Sequence, residues 1–238
     1  MPSEVLIGRE TVVMTGTSGN PEARIGKRSL VIIGAGDFGR EVSFVVERMN
    51  LYGAGWDLLG FVDDSAYMEG TTANGYPVLG PVSFLREMKE DVWVVCSIGT
   101  GRVRAKVMEK VLSWTGIFPA VIVDPSVIIG RGSQIGPGCV ICPGAVLTVN
   151  VSLGAHTIVN LNCTIGHDTV LEDYCTVQPG SNLSGKVHVG RCTDIGTGTK
   201  IIQGLSIAAE SILGAGSVVI HDIEEPGTYV GVPAKRVH

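Results

Sequence analysis

From residue 123 to residue 219, every sixth residue is isoleucine, leucine or valine. An α-helix repeats about every 3.6 residues and a half-buried strand alternates at every second residue, so neither accounts for this register. A strict six-residue repeat is typical of a parallel β-helix, in which short strands stack coil upon coil. The repeat occupies Val123, Ile129, Ile135, Ile141, Leu147, Leu153, Val159, Ile165, Leu171, Val177, Leu183, Val189, Ile195, Ile201, Ile207, Leu213 and Val219.

Two further positions of each hexad follow a pattern. The fourth residue after the apolar one is mostly small, as at Cys163 and Thr169. The residue directly after the apolar one is often glycine, as at Gly166 and Gly190. Each hexad therefore supplies one large and one small inward side chain, and a glycine that relaxes the backbone where a flat face must bend. The short strands of such a β-helix stack on one another like the strands of a sheet.

Residues 29–122 have a different pattern, in which short apolar runs alternate with amphipathic segments. This alternation predicts a βαβ series and hence a small parallel sheet with helices on its faces. The predicted elements are strands at 30–33, 58–62 and 92–98 and helices at 40–49, 81–90 and 102–114.

These patterns divide the chain into four segments. Residues 1–28 are an extension without an assigned role, 29–122 a Rossmann-like domain, 123–221 the β-helix and 222–238 a C-terminal tail.

A glycine-rich loop follows the first predicted strand of the Rossmann-like domain and precedes its first helix. Its pattern is G-x-G-x-x-G, and glycine amides at a helix N-terminus favour contact with a phosphate group. The same pattern also fits a dinucleotide site or a simple tight turn, and fewer than a hundred residues hold only half of a full dinucleotide fold. The candidate ligand contacts are Gly34, Gly36, Asp37, Phe38 and Gly39.

Two carboxylates, Asp63 and Asp64, end the second predicted strand. Ligands of parallel sheets bind at the carboxyl ends of the strands, so these side chains are placed to accept hydrogen bonds from a nucleotide base or ribose. Capping of the next turn is the plainer alternative.

Composition narrows the classes of partner. A formal charge of −5 and a pI of about 5.5 argue against nucleic acid. No stretch is long and apolar enough to predict membrane insertion or an N-terminal signal, and six cysteines without a disulfide pattern favour a reducing cytoplasm. Cys139 and Cys142 form C-x-x-C, but no second pair completes a zinc site, so we interpret Cys139 as an inward residue of the repeat.

Specific motifs accompany the two predicted domains. They are Val31-Ile32-Ile33-Gly34-Ala35-Gly36 with Gly39, Phe61-Val62-Asp63-Asp64, Gly75-Tyr76-Pro77-Val78-Leu79-Gly80, Asn162-Cys163-Thr164-Ile165-Gly166-His167-Asp168 and Tyr229-Val230-Gly231-Val232-Pro233-Ala234-Lys235. Over about residues 29–238 the chain resembles the sugar O/N-acyltransferase family, which includes sialic acid O-acetyltransferases and bacillosamine-type nucleotide-amino-sugar N-acetyltransferases.

The resemblance implies a mixed α/β, Rossmann-like domain that holds a nucleotide-activated sugar, followed by a left-handed parallel β-helix that binds acetyl-CoA between the subunits of a homotrimer. It implies acetyl-CoA-dependent N-acetylation of a nucleotide-linked amino sugar, most simply a 4-amino sugar, without a metal. O-acetylation of sialic acid or of another small hydroxyl acceptor is the alternative, because both reactions need the same base.

The resemblance places the general base at His167 and its supporting acid at Asp168. It matches Asn160 to a polar residue near the sugar amine, although an asparagine ladder or a turn explains Asn160 equally well. Many family members have histidine where this chain has Phe38, and Phe38 cannot form a side-chain hydrogen bond. In the hexapeptide-repeat family three hexads close one triangular coil, so Gly185, eighteen residues after His167, would lie in the same column of the next coil. Its N–H could position the thioester or its oxyanion there. A simple turn residue explains Gly185 equally well.

The C-terminal candidates concern coenzyme A. They resemble segments that line its pantetheine and adenine end, with two basic residues for its phosphates, and a solvated basic terminus is the alternative. The predicted contacts are Gly214, Ala215, Gly216, Gly231, Pro233, Lys235 and Arg236.

Three other classes of protein remain open from the residues. A zinc-dependent hydratase would need three converging imidazoles, but His156, His167 and His188 do not share an eighteen-residue column. A nucleotide-sensing scaffold would show no turnover of acetyl-CoA. An NAD-dependent dehydrogenase would leave the β-helix unexplained.

Overall fold

The computed structural model describes residues 3–7, 10–14, 28–68 and 70–237. The chain begins with an antiparallel hairpin of β1 (Ser3–Ile7) and β2 (Glu10–Met14). An α/β domain follows, and a parallel β-helix comes after it.

The α/β domain is built on a six-stranded sheet in the order β5-β6-β4-β3-β7-β8. All neighbouring strands are parallel except the antiparallel pair β5 and β6. The strands are β3 (Arg28–Ile33), β4 (Trp56–Val62), β5 (Thr72–Ala73), β6 (Tyr76–Gly80), β7 (Val92–Cys96) and β8 (Ile117–Pro119). The helices are α1 (Asp37–Leu51) and α2 (Gly101–Val111), with short 3₁₀ turns at Ala66–Met68 and Val82–Glu87.

The parallel sheet is confirmed, as are its three predicted strands and the helices α1 and α2. The predicted helix at 81–90 is instead the six-residue 3₁₀ turn Val82–Glu87, whose first N–H is taken by the Asp64 carboxylate at 2.8 Å. Sequence reasoning missed β6 and β8. Pro77 and Pro119 lie inside these two strands, and proline within a short run argues against a strand.

The β-helix has strands of two residues, and up to the last coil each pairs with the strand eighteen residues further on, for example Leu147 with Ile165. Face 1 carries β2, β11, β14, β17, β20 and β23; face 2 carries β10, β13, β16, β19, β22 and β25; face 3 carries β9, β12, β15, β18, β21 and β24. The strands are β9 (Ile122–Val123), β10 (Ile128–Ile129), β11 (Gln134–Ile135), β12 (Val140–Ile141), β13 (Val146–Leu147), β14 (Ser152–Leu153), β15 (Ile158–Val159), β16 (Thr164–Ile165), β17 (Val170–Leu171), β18 (Thr176–Val177), β19 (Asn182–Leu183), β20 (His188–Val189), β21 (Asp194–Ile195), β22 (Lys200–Ile201), β23 (Ser206–Ile207), β24 (Ile212–Leu213) and β25 (Val218–Val219).

The interior of the prism confirms the hexad prediction. All seventeen apolar positions of the repeat lie in one buried cluster. The small residues fill the corners and also satisfy the backbone, because Thr157, Thr169 and Ser181 each donate to a carbonyl fifteen residues further along the chain. A corner hydroxyl therefore replaces the ladder bonds that the bend removes.

The glycines that directly follow the apolar positions have a different role from the predicted one. Gly166 has no positive φ, but a Cβ there would lie 2.5 Å from the N atom of Gly185, so the next coil stacks too closely to admit it. The backbone turns two residues later, in the left-handed region, as at Asn150 (φ 58°) and Asp168 (φ 59°). Asparagine, aspartate and glycine suit that conformation.

Both ends of the prism are extended by short strands. At the first coil, β2 pairs in parallel with β11, so the described part of the unassigned N-terminal extension covers the edge of face 1. At the last coil, β26 (Thr228–Val230) adds to β24 and turns back as β27 (Lys235–Arg236).

The α/β domain packs on face 3. Outward side chains of that face, among them Ile122, Val140 and Ile158, are buried in the same cluster as the core of the domain. One arginine secures the contact: Arg104 of α2 is fully buried and donates to the carbonyls of His156, Tyr174 and Cys175 and to the Thr176 hydroxyl.

Candidate active site

His167 and Asp168 lie at the corner where the chain passes from face 2 to face 1. We call this corner, with the equivalent turns of the other coils, the His167 edge. The Nδ1 atom of His167 is 2.8 Å from Oδ2 of Asp168, and both side chains are about half exposed. The hydrogen bonds from His167 and Asn150 hold the pKa of Asp168 below its usual range. An ionised carboxylate at Nδ1 favours the tautomer in which Nε2 is free to accept a proton.

Gly185 lies directly above this histidine on the next coil, as predicted. The imidazole occupies the space that a Cβ at Gly185 would need. Within the described chain, the Gly185 N–H donates to no backbone or side-chain acceptor. The backbone of Gly185 therefore lies against the Nε2 side of the ring, and a free N–H donor in the site is what an oxyanion requires.

The Asp63 carboxylate accepts hydrogen bonds from the backbone and holds the glycine-rich loop in place. The Ala35 N–H donates to Oδ2 of Asp63, and the Ser65 N–H donates to Oδ1, both at 2.8 Å. Partial burial opposes ionisation, but these N–H donors outweigh it and lower the pKa of Asp63. Asp64 accepts from the Val82 N–H and caps that turn, as the plainer alternative predicted.

The loop itself has the tight geometry that its glycines predict. Gly34 adopts φ +99°, and a Cβ on Gly39 would meet the Gly34 carbonyl. Gly36 is the N-cap of α1, with no side-chain cap. Asp37 is exposed and pairs with Arg40 at 2.5 Å, whereas Phe38 packs against the buried core of the domain. Phe38 therefore supports the loop from beneath and offers no polar contact.

The remaining candidates lie at the corner between faces 3 and 2, which we call the Asn160 edge. Asn160 is 6% exposed, and its Oδ1 accepts from the Leu161 N–H at 2.7 Å. The predicted coenzyme A contacts Gly214, Ala215 and Gly216 occupy the same edge three coils further on. Within one chain, the structure therefore separates these residues from His167 by the width of face 2.

The tail residues lie beside the Asn160 edge. Gly231 (φ +100°) and the cis bond before Pro233 form the turn between β26 and β27. Lys235 is exposed. The guanidinium of Arg236 binds Glu225 at 2.5 Å and the Pro226 carbonyl at 2.9 Å, so it already fastens the tail.

Sequence reasoning missed two neighbours of the pair. Asn150 Nδ2 donates to Oδ1 of Asp168 at 3.0 Å, and Lys186 acts on the same carboxylate through its charge. Both could have been found from the repeat, because they lie eighteen residues before and eighteen residues after Asp168.

Comparison with known proteins shows the family. Residues 29–111 match the family model described as the PglD N-terminal domain. The GDP-perosamine N-acetyltransferase of Escherichia coli O157:H7 is 31% identical over 186 residues, which are 78% of this chain and 82% of that protein. The chain belongs to the sugar O/N-acyltransferase family.

Solved structures of similar proteins cover both domains. The acetyltransferase domain of PglB from Neisseria gonorrhoeae FA1090, in complex with acetyl coenzyme A, is 29% identical and has a TM-score of 0.81 over 89% of this chain and 100% of that chain. PerB from Caulobacter crescentus, in complex with CoA and GDP-perosamine, is also 29% identical, with a TM-score of 0.79 over 90% of this chain and 99% of that chain. The β-helix of this acyltransferase is accordingly the left-handed type.

The described histidines do not converge as the zinc-dependent alternative would require. No group of three or more His, Cys, Asp or Glu side chains in the described part of this acyltransferase could hold a metal ion. His156 lies at the corner between faces 1 and 3, His167 at the His167 edge and His188 on face 1. Cys139 points into the prism, whereas Cys142 packs under the α/β domain.

In the same described residues, no helix is long and apolar enough to cross a membrane.

Proposed function

We propose that this protein transfers the acetyl group of acetyl-CoA to the amino group of a nucleotide-linked sugar, most simply a 4-amino sugar. The observation that carries the proposal is the His167–Asp168 pair, whose ring lies against the backbone of Gly185, a residue with an unpaired N–H in the described chain. Similar proteins are named as GDP-perosamine N-acetyltransferases, and solved relatives hold CoA, acetyl-CoA or GDP-perosamine.

In this proposal the acetyl group is transferred directly, without a covalent enzyme intermediate. The amine nitrogen attacks the thioester carbon, and Nε2 of His167 takes the amine proton as the C–N bond forms. Asp168 stabilises the resulting imidazolium through Nδ1–H, and the Gly185 N–H receives the developing oxyanion. The C–S bond then breaks, and the CoA thiolate leaves with the proton that the imidazolium returns.

The nucleotide belongs to the α/β domain in this proposal. The glycine-rich loop lies at the carboxyl end of β3, next to the end of β4, where ligands of parallel sheets bind. Asp63 accepts the Ala35 N–H and so holds the loop in place, and its role in this proposal is to shape the phosphate site.

We also propose a homotrimer with its active site between subunits. The His167 edge and the Asn160 edge flank face 2, so a threefold arrangement with face 2 inward would bring one edge of each chain against the other edge of its neighbour. Ile128 on that face is 62% exposed, which favours its burial by a neighbour.

All six cysteines are free and buried, which is consistent with a cytoplasmic protein.

The test is thiol release from acetyl-CoA with GDP-, UDP- and dTDP-linked 4-amino sugars, free sialic acid and CMP-sialic acid. We expect rapid release with one nucleotide-linked amino sugar and an amide product by mass spectrometry. Release only with a hydroxyl acceptor would favour the O-acetyltransferase alternative. If no thiol is released with any acceptor of the panel while acetyl-CoA still binds, the proposed acceptor class is overturned.

A matched pair of histidine variants ties turnover to the site. His167→Ala should lose most activity while the assembly stays folded. His188→Ala is the control, because His188 is exposed on face 1 and paired with Glu172. Equal activity in both variants would overturn the assignment of His167.

A further inference from the structure

We propose that Asn150 is a positioning residue for this transfer, which turns the Asp168 carboxylate so that one of its oxygens faces the histidine. The inference rests on the proposed function, since it assigns His167 and Asp168 to proton transfer. Asn150 lies one coil below Asp168 and touches neither the proposed thioester nor the amine in this scheme.

The two oxygens of Asp168 are divided between two partners. Oδ1 accepts the Asn150 Nδ2–H at 3.0 Å, and Oδ2 is 2.8 Å from Nδ1 of His167. Without this donor, a half-exposed carboxylate would rotate, and its oxygens would accept hydrogen bonds from water instead. The donor from the coil below therefore selects the rotamer in which Oδ2 receives Nδ1–H.

Asn150 is itself held in place. Its N–H donates to the Arg131 carbonyl at 3.0 Å, and its side-chain oxygen lies against the α-carbon of Gly132, where a Cβ would collide with it. Asn150 adopts φ 58°, which asparagine tolerates better than most residues. The left-handed turn positions of three successive coils thus place Gly132, Asn150 and Asp168 in one column.

The charges around Asp168 support a fixed, ionised carboxylate. His167 faces it from the same turn, Lys186 acts from the coil above and the neutral Asn150 faces it from the coil below. Asn150 adds orientation without adding charge, so the carboxylate can still stabilise an imidazolium.

The chain offers a close control for a variant at Asn150. Asn162 is the same residue type in the same left-handed turn position (φ 54°), and its side-chain oxygen lies against Gly144 as that of Asn150 lies against Gly132. One coil above Asn162 is Gly180, which has no side chain to receive a hydrogen bond. Asn150→Gly and Asn162→Gly therefore remove matched side chains, and glycine keeps the positive φ without strain.

The experiment measures kcat, the pH profile of kcat and the imidazole ¹⁵N shifts of His167 in both variants. For Asn150→Gly we expect a roughly tenfold lower kcat, an unchanged KM for acetyl-CoA, and growth of the Nε2–H tautomer at the expense of Nδ1–H. The acidic limb of its kcat profile should move to lower pH, because a misoriented Asp168 stabilises the imidazolium less. Asn162→Gly changes a turn of the Asn160 edge, so it serves as the control for the two His167 readouts and should leave the tautomer and the acidic limb as they are in the unmodified protein.

Asn150→Asp gives the opposite sign and guards against a merely structural effect. A second carboxylate beside Asp168 raises its pKa by repulsion and also favours the imidazolium, so the acidic limb should move to higher pH. Unchanged tautomer and pH profile in both Asn150 variants would overturn the inference. If those variants behave normally while His167→Ala is inactive, only the positioning role fails. If His167→Ala is as active as the unmodified protein, the proposed base fails instead.

Discussion

The imidazole of His167 occupies the space where a Cβ of Gly185, on the next coil, would lie. Gly185 has no positive φ, and Gln203 fills the same column one coil further on, so the backbone there admits a side chain. Glycine is needed at residue 185 because the ring of His167 fills the space that a side chain there would need.

Gly185→Ala should therefore impair catalysis through the histidine. The added methyl displaces the ring from Asp168, and a displacement of about 1 Å costs roughly a hundredfold in kcat. Steady-state kinetics and urea unfolding check both the activity and an expected destabilisation of about 1–3 kcal/mol from overpacking. In a His167→Ala background the same substitution should cost little stability, and an equal cost in both backgrounds would contradict the explanation.

Arg104→Met should weaken the attachment of the α/β domain to the β-helix. Removing the guanidinium leaves the buried carbonyls of His156, Tyr174 and Cys175 without this donor. The free energy of unfolding should fall by about 3 kcal/mol or more, measured by urea denaturation. Arg102→Met is the control, since Arg102 lies on the surface of α2 at 3.8 Å from Glu210 and should change stability by less than about 0.5 kcal/mol.

His156 makes the protein sensitive to acid. Burial, followed by the nearby charge of Arg104, lowers the pKa of His156 to about 4, and its ring stacks on Tyr174 at 5.1 Å. Its contribution to stability is complete above its unfolded pKa of about 6.5 and is lost as the pH falls toward 4, by up to about 3 kcal/mol. His156→Asn keeps the positive φ but cannot titrate, so its Tm should fall less between pH 7.5 and 4.5. A parallel fall in both proteins would assign the acid sensitivity to other groups.

Asp63→Asn should loosen the glycine-rich loop. An amide has only one oxygen for the N–H groups of Ala35 and Ser65, and it carries no charge. We expect about a tenfold higher KM for the nucleotide sugar with little change in the KM for acetyl-CoA. A rise in both constants would indicate general damage instead of a local effect on the loop.

Much of the fold was predictable because the repeat is local. The spacing from Val123 to Val219 specifies the inward positions. The coil of three hexads that the resemblance implied returns the chain to the same column every eighteen residues, as the pairing of Leu147 with Ile165 confirms. The same spacing placed Gly185 over His167. Sequence patterns were less informative for the α/β domain. There β6 and β8 contain prolines, and the helix predicted at 81–90 is only a short 3₁₀ turn.

The sequence by itself determined the hexad register, the column of each corner residue, and the motifs that indicated the family. Only the tertiary structure decided that Asp63 holds the loop, that Asn150 and Asp168 share a hydrogen bond, and that the proposed site is divided between two edges of the prism. The physical reason is that a repeat specifies which backbone positions are neighbours. Side-chain rotamers, hydrogen-bond partners and the face covered by another domain depend on packing that no local pattern encodes.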